Sequence, residues 1–393
     1  MLQRILRWVN RPSRHAHAAL TLLVLAGCPS HAVAQTPSEG PPKPSPKVVL
    51  VTIDGVRWQE VFGGEDPSLS PKSMKTAAQL MPFFHQVMAK QGVVIGDRRH
   101  DSRMRVSNPY AVSYPGYQEL LTGYADPTIA DNSKRPNPNV SVLEWLNQQP
   151  ELQGKIAAFG SWELLPYILN TTRSQLPVNA GFMPLTEQLI GPLSDKMQLL
   201  NQMQRQTPSP WQSVRLDIFT SQFALEYLKT KKPRLLYVAL GEPDDFAHAG
   251  DYPRYVQALQ RADQYLAEIW HTLQADPFYR NQTTLIVTTD HGRGDSAATW
   301  ARHGSSRALP SFVSQLSTPD AHGSEQIWLA AVGAQIPAAG LIKSDTEFLQ
   351  SQVASSIADL FGYSYQHFQY RAATALPWLK HSDLPATSQR IAP

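Results

Sequence analysis

Three short apolar runs in this chain each lead into carboxylates, and that arrangement constrains the fold more than any other feature. Residues 48–53 (VVLVTI) run into Asp54-Gly55. Residues 235–240 (LLYVAL) run through one glycine into Glu242-Pro243-Asp244-Asp245. Residues 284–289 (TLIVTT) run into Asp290-His291-Gly292. Runs of this kind, rich in β-branched residues and lacking polar alternation, suit parallel strands buried on both faces. The runs at 156–159 and 327–332 read the same way. Between them lie helical stripes. Tyr255, Leu259, Ala262, Leu266, Ile269 and Leu273 recur at steps of three and four, as do Leu216, Phe219, Phe223 and Tyr227. Both stripes read as core faces. The alternation predicts an α/β fold: a doubly wound, mostly parallel sheet flanked by helices. Residues 164–212 are rich in Pro, Gln and Asn and poorly periodic, and are expected to form an insertion or cap.

In open α/β sheets the ligand site lies beyond the carboxyl ends of the strands. Carboxylates at three such ends would converge on one crevice, where without a cation they would repel and lose hydration at great cost. A single such Asp would read as a helix N-cap; three, two of them with a nearby histidine, point to a metal site. His248 lies four residues after Asp244 in DDFAH, which puts both on one face of a helical turn. His291 adjoins Asp290. Imidazole and carboxylate ligands without thiolate suit Zn²⁺, with Mn²⁺ or Fe as alternatives. His85, His100, His271, His367 and His381 read as structural or surface histidines. In SNPYAVSYPGYQELLTG (107–123), Ser113 precedes a Tyr-Pro-Gly turn signal and the start of a helix, where backbone N–H groups favour an anion. By itself it would be a capping serine.

Bulk properties exclude other classes. With 42% hydrophobic residues the chain can build a large core. A net charge of +3 gives no electrostatic case for a nucleic-acid partner. Arg98, Arg99, Arg103 and Arg105 cluster locally and read as a solvated loop, the alternative being a basic rim near an anionic substrate. Arg4, Arg7, Arg11 and Arg14 followed by an apolar stretch form a bacterial export signal. Two processing sites compete evenly. Cleavage after Ala32-Val33-Ala34 would remove residues 1–34, whereas the lipobox Leu25-Ala26-Gly27-Cys28 would remove 1–27 and anchor the protein to a membrane through Cys28. Either way the protein is expected in the periplasm. Cys28 is the only cysteine, so the folded part has no disulfide and no thiolate ligand. Residues 35–46 read as a Pro-rich linker, 47–375 as one catalytic domain and 376–393 as a tail.

VTIDG, SYPGYQELLTG, EPDDFAH and TTDHG, in this order, resemble the alkaline phosphatase superfamily, and most of all its nucleotide pyrophosphatase/phosphodiesterase-like branch. The likeness spans nearly the whole chain from residue 47 to about 361. It implies an alkaline-phosphatase-like fold, two divalent metal ions (Zn²⁺ before others) and a small-molecule phosphate ester as substrate. The implied reaction is phosphodiester or phosphomonoester hydrolysis through a phosphoserine on Ser113. A phosphotransferase is the first alternative, and a non-catalytic exported metal- or anion-binding protein the second. On the family pattern Asp54, Asp290, His291 and Ser113 would hold one metal, and Asp244, His248 and a third histidine the other. Two candidates compete for that third position. His303, in TWARHGSS, has the local context of bacterial relatives; His322, in DAHGSEQIWLAAVG, lies closer to the next strand. His303 is preferred, which makes 305–321 an insertion. Asn132 lies near the place of a transition-state Asn in the phosphodiesterases, against a plain turn-capping role. Two departures stand out: Gly116 replaces an Asn of the phosphodiesterases, and Tyr117 stands where sulfatases carry Arg, which disfavours sulfate esters.

Overall fold

The computed structural model describes residues 45–70, 74–307 and 321–379. The export signal with Cys28, nearly all of the linker, most of the 305–321 insertion and the end of the tail lie outside the described residues. Five parallel strands make the centre: β1 (Lys47–Ile53), β4 (Ile156–Gly160), β5 (Val178–Ala180), β6 (Leu235–Leu240) and β7 (Thr283–Thr288). With β2 (Val93–Ile95), β9 (Leu329–Gly333) and β10 (Gly340–Leu341) they form an eight-stranded sheet of order β10-β2-β9-β7-β1-β6-β4-β5. A separate small sheet pairs β3 (Met104–Arg105) with β8 (Gln326–Ile327) and β11 (Phe348–Leu349).

The unbroken apolar runs are explained by burial on both faces. Val48 and Leu50 of β1 face a cluster with Leu120 and Leu121 of the helix Ser113–Thr122 and Val353 and Ile357 of the helix Gln352–Leu360. Val49, Val51 and Ile53 face the opposite cluster. There they meet Phe223 and Leu228 of the helix Asp217–Lys231 and Leu259 and Leu266 of the helix Tyr252–Ala275. The stripe from Tyr255 to Leu273 packs here whole and the other one through Phe223 and Tyr227, while Leu216 lies one residue before its helix.

Two expectations need correction. The run 327–332 is not a parallel strand. Ile327 pairs with Met104 in the small sheet, and β9 runs antiparallel to β7. The reason is connectivity: β7 ends and β9 begins at the same edge of the sheet, Thr288 pairing with Leu329, so β9 must run back. Residues 164–212 do not sit wholly outside the sheet either. Val178–Ala180 extends it as the edge strand beside β4, and Leu185, Ile190, Met197 and Leu200 join the core.

One buried ion pair braces the loop after β1. Glu60 accepts hydrogen bonds from Arg57 Nε (3.0 Å), Tyr252 Oη (3.1 Å) and Tyr255 Oη (3.3 Å), and both residues of the pair are buried. Glu60→Ala leaves the buried Arg57 guanidinium with only the Gly294 carbonyl and a longer contact to Asp66, and urea denaturation should show a loss of about 3–5 kcal/mol. A loss within experimental error would mean that the pair contributes nothing.

Candidate metal centre and nucleophile

Level parallel register brings the acidic strand ends together. Thr52 pairs with Thr288 and Ile53 with Leu240, so β7, β1 and β6 deliver Asp290, Asp54 and Asp244 side by side. Gly55, at φ +61°, donates its N–H to Asp290 Oδ1 (3.1 Å). Tyr117 Oη donates to Asp54 Oδ2 (2.9 Å). His291 Nδ1 lies 2.8 Å from the Gly292 carbonyl. A carbonyl only accepts, so the proton sits on Nδ1 and the Nε2 lone pair is free for the crevice. Nε2 lies 3.5 Å from Asp54 Oδ1, 3.4 Å from Asp290 Oδ2 and 3.2 Å from Ser113 Oγ.

Asp54 Oδ1 and Asp290 Oδ2 are buried and have no hydrogen-bond partner. Burial, then the neighbouring Asp290 and Asp244, push the Asp54 carboxyl well above its ordinary range. Burial raises Asp290 as well, against the pull of His291. Orphaned, desolvated carboxylate oxygens around an imidazole lone pair fit a divalent cation.

A second group adjoins the first. Asp244 lies in the first turn of the helix Glu242–His248, and its Oδ2 is 3.1 Å from His248 Nε2. His303 Nδ1 faces the Ala111 carbonyl at 3.2 Å, so its Nε2 also turns inward, 2.9 Å from His248 Nε2 and 3.9 Å from Asp244 Oδ1. Burial, then the neighbouring His291, hold the His303 pKa well below its usual value, which keeps the ring neutral and ready as a ligand. Burial works against the charge of Asp244, yet His248, Arg293 and His303 hold its carboxyl well below the usual range. The His291 and His303 rings stack with centroids 3.9 Å apart, so the two groups share a wall. Ligand atoms of Asp54, Asp290 and His291 lie within 4.8 Å of one another, as do those of Asp244, His291 and His303. His248 stands at the rim with half of its side chain exposed.

Ser113 is the first residue of its helix and is 5% exposed. The loop before it is pinned by the buried Glu119, whose carboxylate accepts from the Ser107 and Asn108 N–H groups (2.8 and 2.7 Å). Asn132 Oδ1 accepts from the Tyr114 N–H (2.8 Å), which places Asn132 at the same helix end. His322 is elsewhere: it is 77% exposed and pairs with Asp295 (2.6 Å). The four clustered arginines are paired, Arg98 and Arg105 with Glu347, Arg99 with Asp97 and Arg103 with Asp101, in keeping with a solvated loop.

Gly116 acquires a physical reason. A Cβ there would collide with the backbone carbonyl of Asp290, so the glycine lets the helix that begins at Ser113 press against the segment after β7. Gly116→Asn should cost about 1–3 kcal/mol and lower turnover. Calorimetry showing wild-type stability would contradict the collision. Three features escaped the sequence reading: Glu119, Arg293 and the network behind Asp244. In that network Asp217 accepts from the Gly241 and Glu242 N–H groups (2.8 and 3.1 Å), and Arg261 pairs with Glu242 (2.6 Å). Each looked like an ordinary surface charge, and for Arg293 the only signal was a cation two residues after His291.

A family model described as the Metalloenzyme superfamily matches residues 219–365, which contain every residue of the second group and the Asp290-His291 pair. A 2,3-bisphosphoglycerate-independent phosphoglycerate mutase from Haloquadratum walsbyi is 27% identical over 100 residues, 25% of this chain and 19% of that protein. The chain thus spans about a fifth of that curated relative. Among solved structures, Ps i-CgsB superposes with a TM-score of 0.54 at 15% identity over 84% of this chain and 75% of its own. The lipoteichoic acid synthase LtaP from Listeria monocytogenes gives 0.51 at 11% identity, covering 81% and 72% of the two chains. The C-terminal periplasmic domain of EcEptC from Escherichia coli, solved in complex with Zn, gives 0.50 at 13% identity over 86% and 88%. Residues 219–365 thus resemble the Metalloenzyme superfamily, and the solved structures show that the chain shares their fold.

Proposed function

We propose that the chain is a metal-dependent phosphoric ester hydrolase that works through a phosphoserine on Ser113. The observation that carries this reading is the position of Ser113 Oγ, at a helix start and 3.2 Å from His291 Nε2, beside two orphaned carboxylate oxygens. Asp54, Asp290, His291 and Ser113 Oγ would hold one divalent cation, and Asp244, His248 and His303 the other, with Zn²⁺ the first choice for the donor set. When bound, such ions lower the pKa of a serine hydroxyl and neutralise charge on phosphoryl and leaving-group oxygens.

The residues then divide the work. Ser113 Oγ loses its proton and attacks phosphorus, the bond to the ester oxygen breaks, and the alcohol departs with a proton. Water next attacks phosphorus from the opposite side, and Ser113 Oγ leaves and regains a proton. Asn132 has its carbonyl oxygen engaged by Tyr114, so its amide N–H groups remain as donors to a phosphoryl oxygen. Tyr117, in the place of the sulfatase Arg, is committed to Asp54, which favours phosphate over sulfate esters. Export to the periplasm, with removal of residues 1–34 or lipid anchoring at Cys28, belongs to the same proposal, as does a single catalytic domain over 47–375. Among the described residues no helix is long and apolar enough to cross a membrane.

The test is a rate comparison with added Zn²⁺ across p-nitrophenyl phosphate, bis-p-nitrophenyl phosphate and p-nitrophenyl sulfate, with a competing alcohol in parallel. Turnover of a phosphate ester well above the sulfate is expected, with phosphate released. Transfer to the alcohol in preference to water would make the protein a phosphotransferase. No turnover of either phosphate ester, or a preference for the sulfate, would overturn the assignment.

A further inference from the structure

We infer that Arg293 is the positioning residue of the second cation site. It holds Asp244 in register with the segment that carries His303. The site formed by Asp244, His248 and His303 therefore depends on it, and the site formed by Asp54, Asp290 and His291 does not. The inference rests on the two-cation reading above.

Arg293 has no exposed side-chain surface, which is rare for a residue that cannot shed its charge. Its guanidinium reaches three acceptors. Nη1 donates to Asp244 Oδ1, Nε to the Trp300 carbonyl (3.0 Å) and Nη2 to the Ala301 carbonyl (2.6 Å). The guanidinium is a rigid planar fork, so it fixes these acceptors relative to one another. One belongs to the helix after β6; the other two lie just before His303. Trp300 cannot follow a displaced guanidinium, because its ring is packed against Tyr252 and Tyr255, with centroids at 5.1 and 5.8 Å.

The pairing also decides what Asp244 offers. Oδ1 is taken by Arg293, while Oδ2 faces His248 Nε2 at 3.1 Å. One carboxylate oxygen is thus left for a cation. Room for the pair comes from the far side of the crevice: a Cβ at Gly55 would collide with Asp244 Oδ1 and lie 2.8 Å from Arg293 Nη1. The glycine of VTIDG therefore serves the second site as well as the first.

The first group has its own orienting partners. The Gly55 N–H holds Asp290 (3.1 Å), the Tyr117 hydroxyl holds Asp54 (2.9 Å) and the Gly292 carbonyl holds His291 (2.8 Å). None of them involves the guanidinium, and this separation is what makes the effect of Arg293 specific to one site. Lysine cannot replace it, because a single ammonium cannot bridge three acceptors set in a plane.

The experiment equilibrates wild type, Arg293→Lys and Arg293→Met with buffered free Zn²⁺ at graded concentrations. Zinc per chain is read by mass spectrometry and folding by circular dichroism. Wild type is expected to fill two sites. Arg293→Met should keep the first site at wild-type affinity and bind the second zinc about 10–100-fold more weakly, the range found when a partner behind a metal ligand is removed. Arg293→Lys should fall between. Adding Asp54→Asn to Arg293→Met should weaken the remaining ion. Folded variants that hold both zinc ions at wild-type affinity would overturn the inference, and so would variants that weaken both sites equally. If Arg293→Met does not fold, Arg293→Lys decides by the same criteria. A wild-type protein without zinc would sink the two-cation reading and this inference with it; two zinc ions in wild type with unshifted variants would sink this inference alone.

Discussion

Ser113→Ala should lower phosphate-ester turnover by ~10³-fold or more while leaving the fold intact, because the variant lacks the atom that would accept the phosphoryl group. The structural cost is small. The hydroxyl makes one hydrogen bond, at 3.2 Å to His291 Nε2, and its loss should change stability by about 1 kcal/mol or less. Steady-state rates and urea denaturation on the same preparation separate the two effects. Near-normal turnover by the alanine variant would remove Ser113 from the mechanism. Equal loss of activity and of stability would make it a structural residue.

Exhaustive chelation should abolish turnover, and Zn²⁺ should restore it. Chelation should also lower the melting temperature, with a pH dependence whose sign follows from the carboxylates. Asp54 and Asp290 have raised pKa values in the cation-free fold, through burial before all else. The folded state then binds protons more readily than the unfolded chain. Stability of the cation-free protein therefore falls as pH rises from the ordinary carboxylate range through these raised values. A bound cation removes that penalty, so the gap in melting temperature between loaded and stripped protein should widen from pH 4 towards pH 7. Asp244 behaves oppositely: its lowered pKa contributes stability that is present above the ordinary carboxylate range and lost only as pH falls through the depressed value. Imidazole and carboxylate ligands hold a metal only when deprotonated, so metal content and turnover should fall together in acid. Calorimetry across pH with metal analysis checks both statements. Full activity after chelation would reject the metal reading, and a gap independent of pH would reject the electrostatic account.

Most of the architecture was legible because it follows from local periodicity. The runs at 48–53, 235–240 and 284–289 are apolar on both faces, and β1, β6 and β7 are buried on both faces. The stripe from Tyr255 to Leu273 is periodic, and the helix Tyr252–Ala275 packs on it. The direction of β9 was not legible, because a short apolar run carries no information about strand polarity. That depends on which end of the sheet the preceding loop leaves the chain.

The site divides along the same line. The sequence by itself determined which residue types stand at the strand ends, since Asp54 and the Asp290-His291 pair close their apolar runs, Asp244 lies four residues past its own, and parallel register brings such ends level. It preferred His303 to His322 on local context alone. Spacing along a loop does not say where the loop goes, and only the folded chain puts His303 Nε2 2.9 Å from His248 and leaves His322 in solvent. Nor could it find Arg293, Glu119 or Asp217. A charged residue reads as surface until the fold removes water from it, and what it then holds in place is set by groups far away in the chain. Gly116 marks the boundary between the two kinds of information. Its identity was plain in the sequence, but its reason is the Asp290 backbone pressed against it, a contact that exists only once the helix from Ser113 and the end of β7 have been packed together.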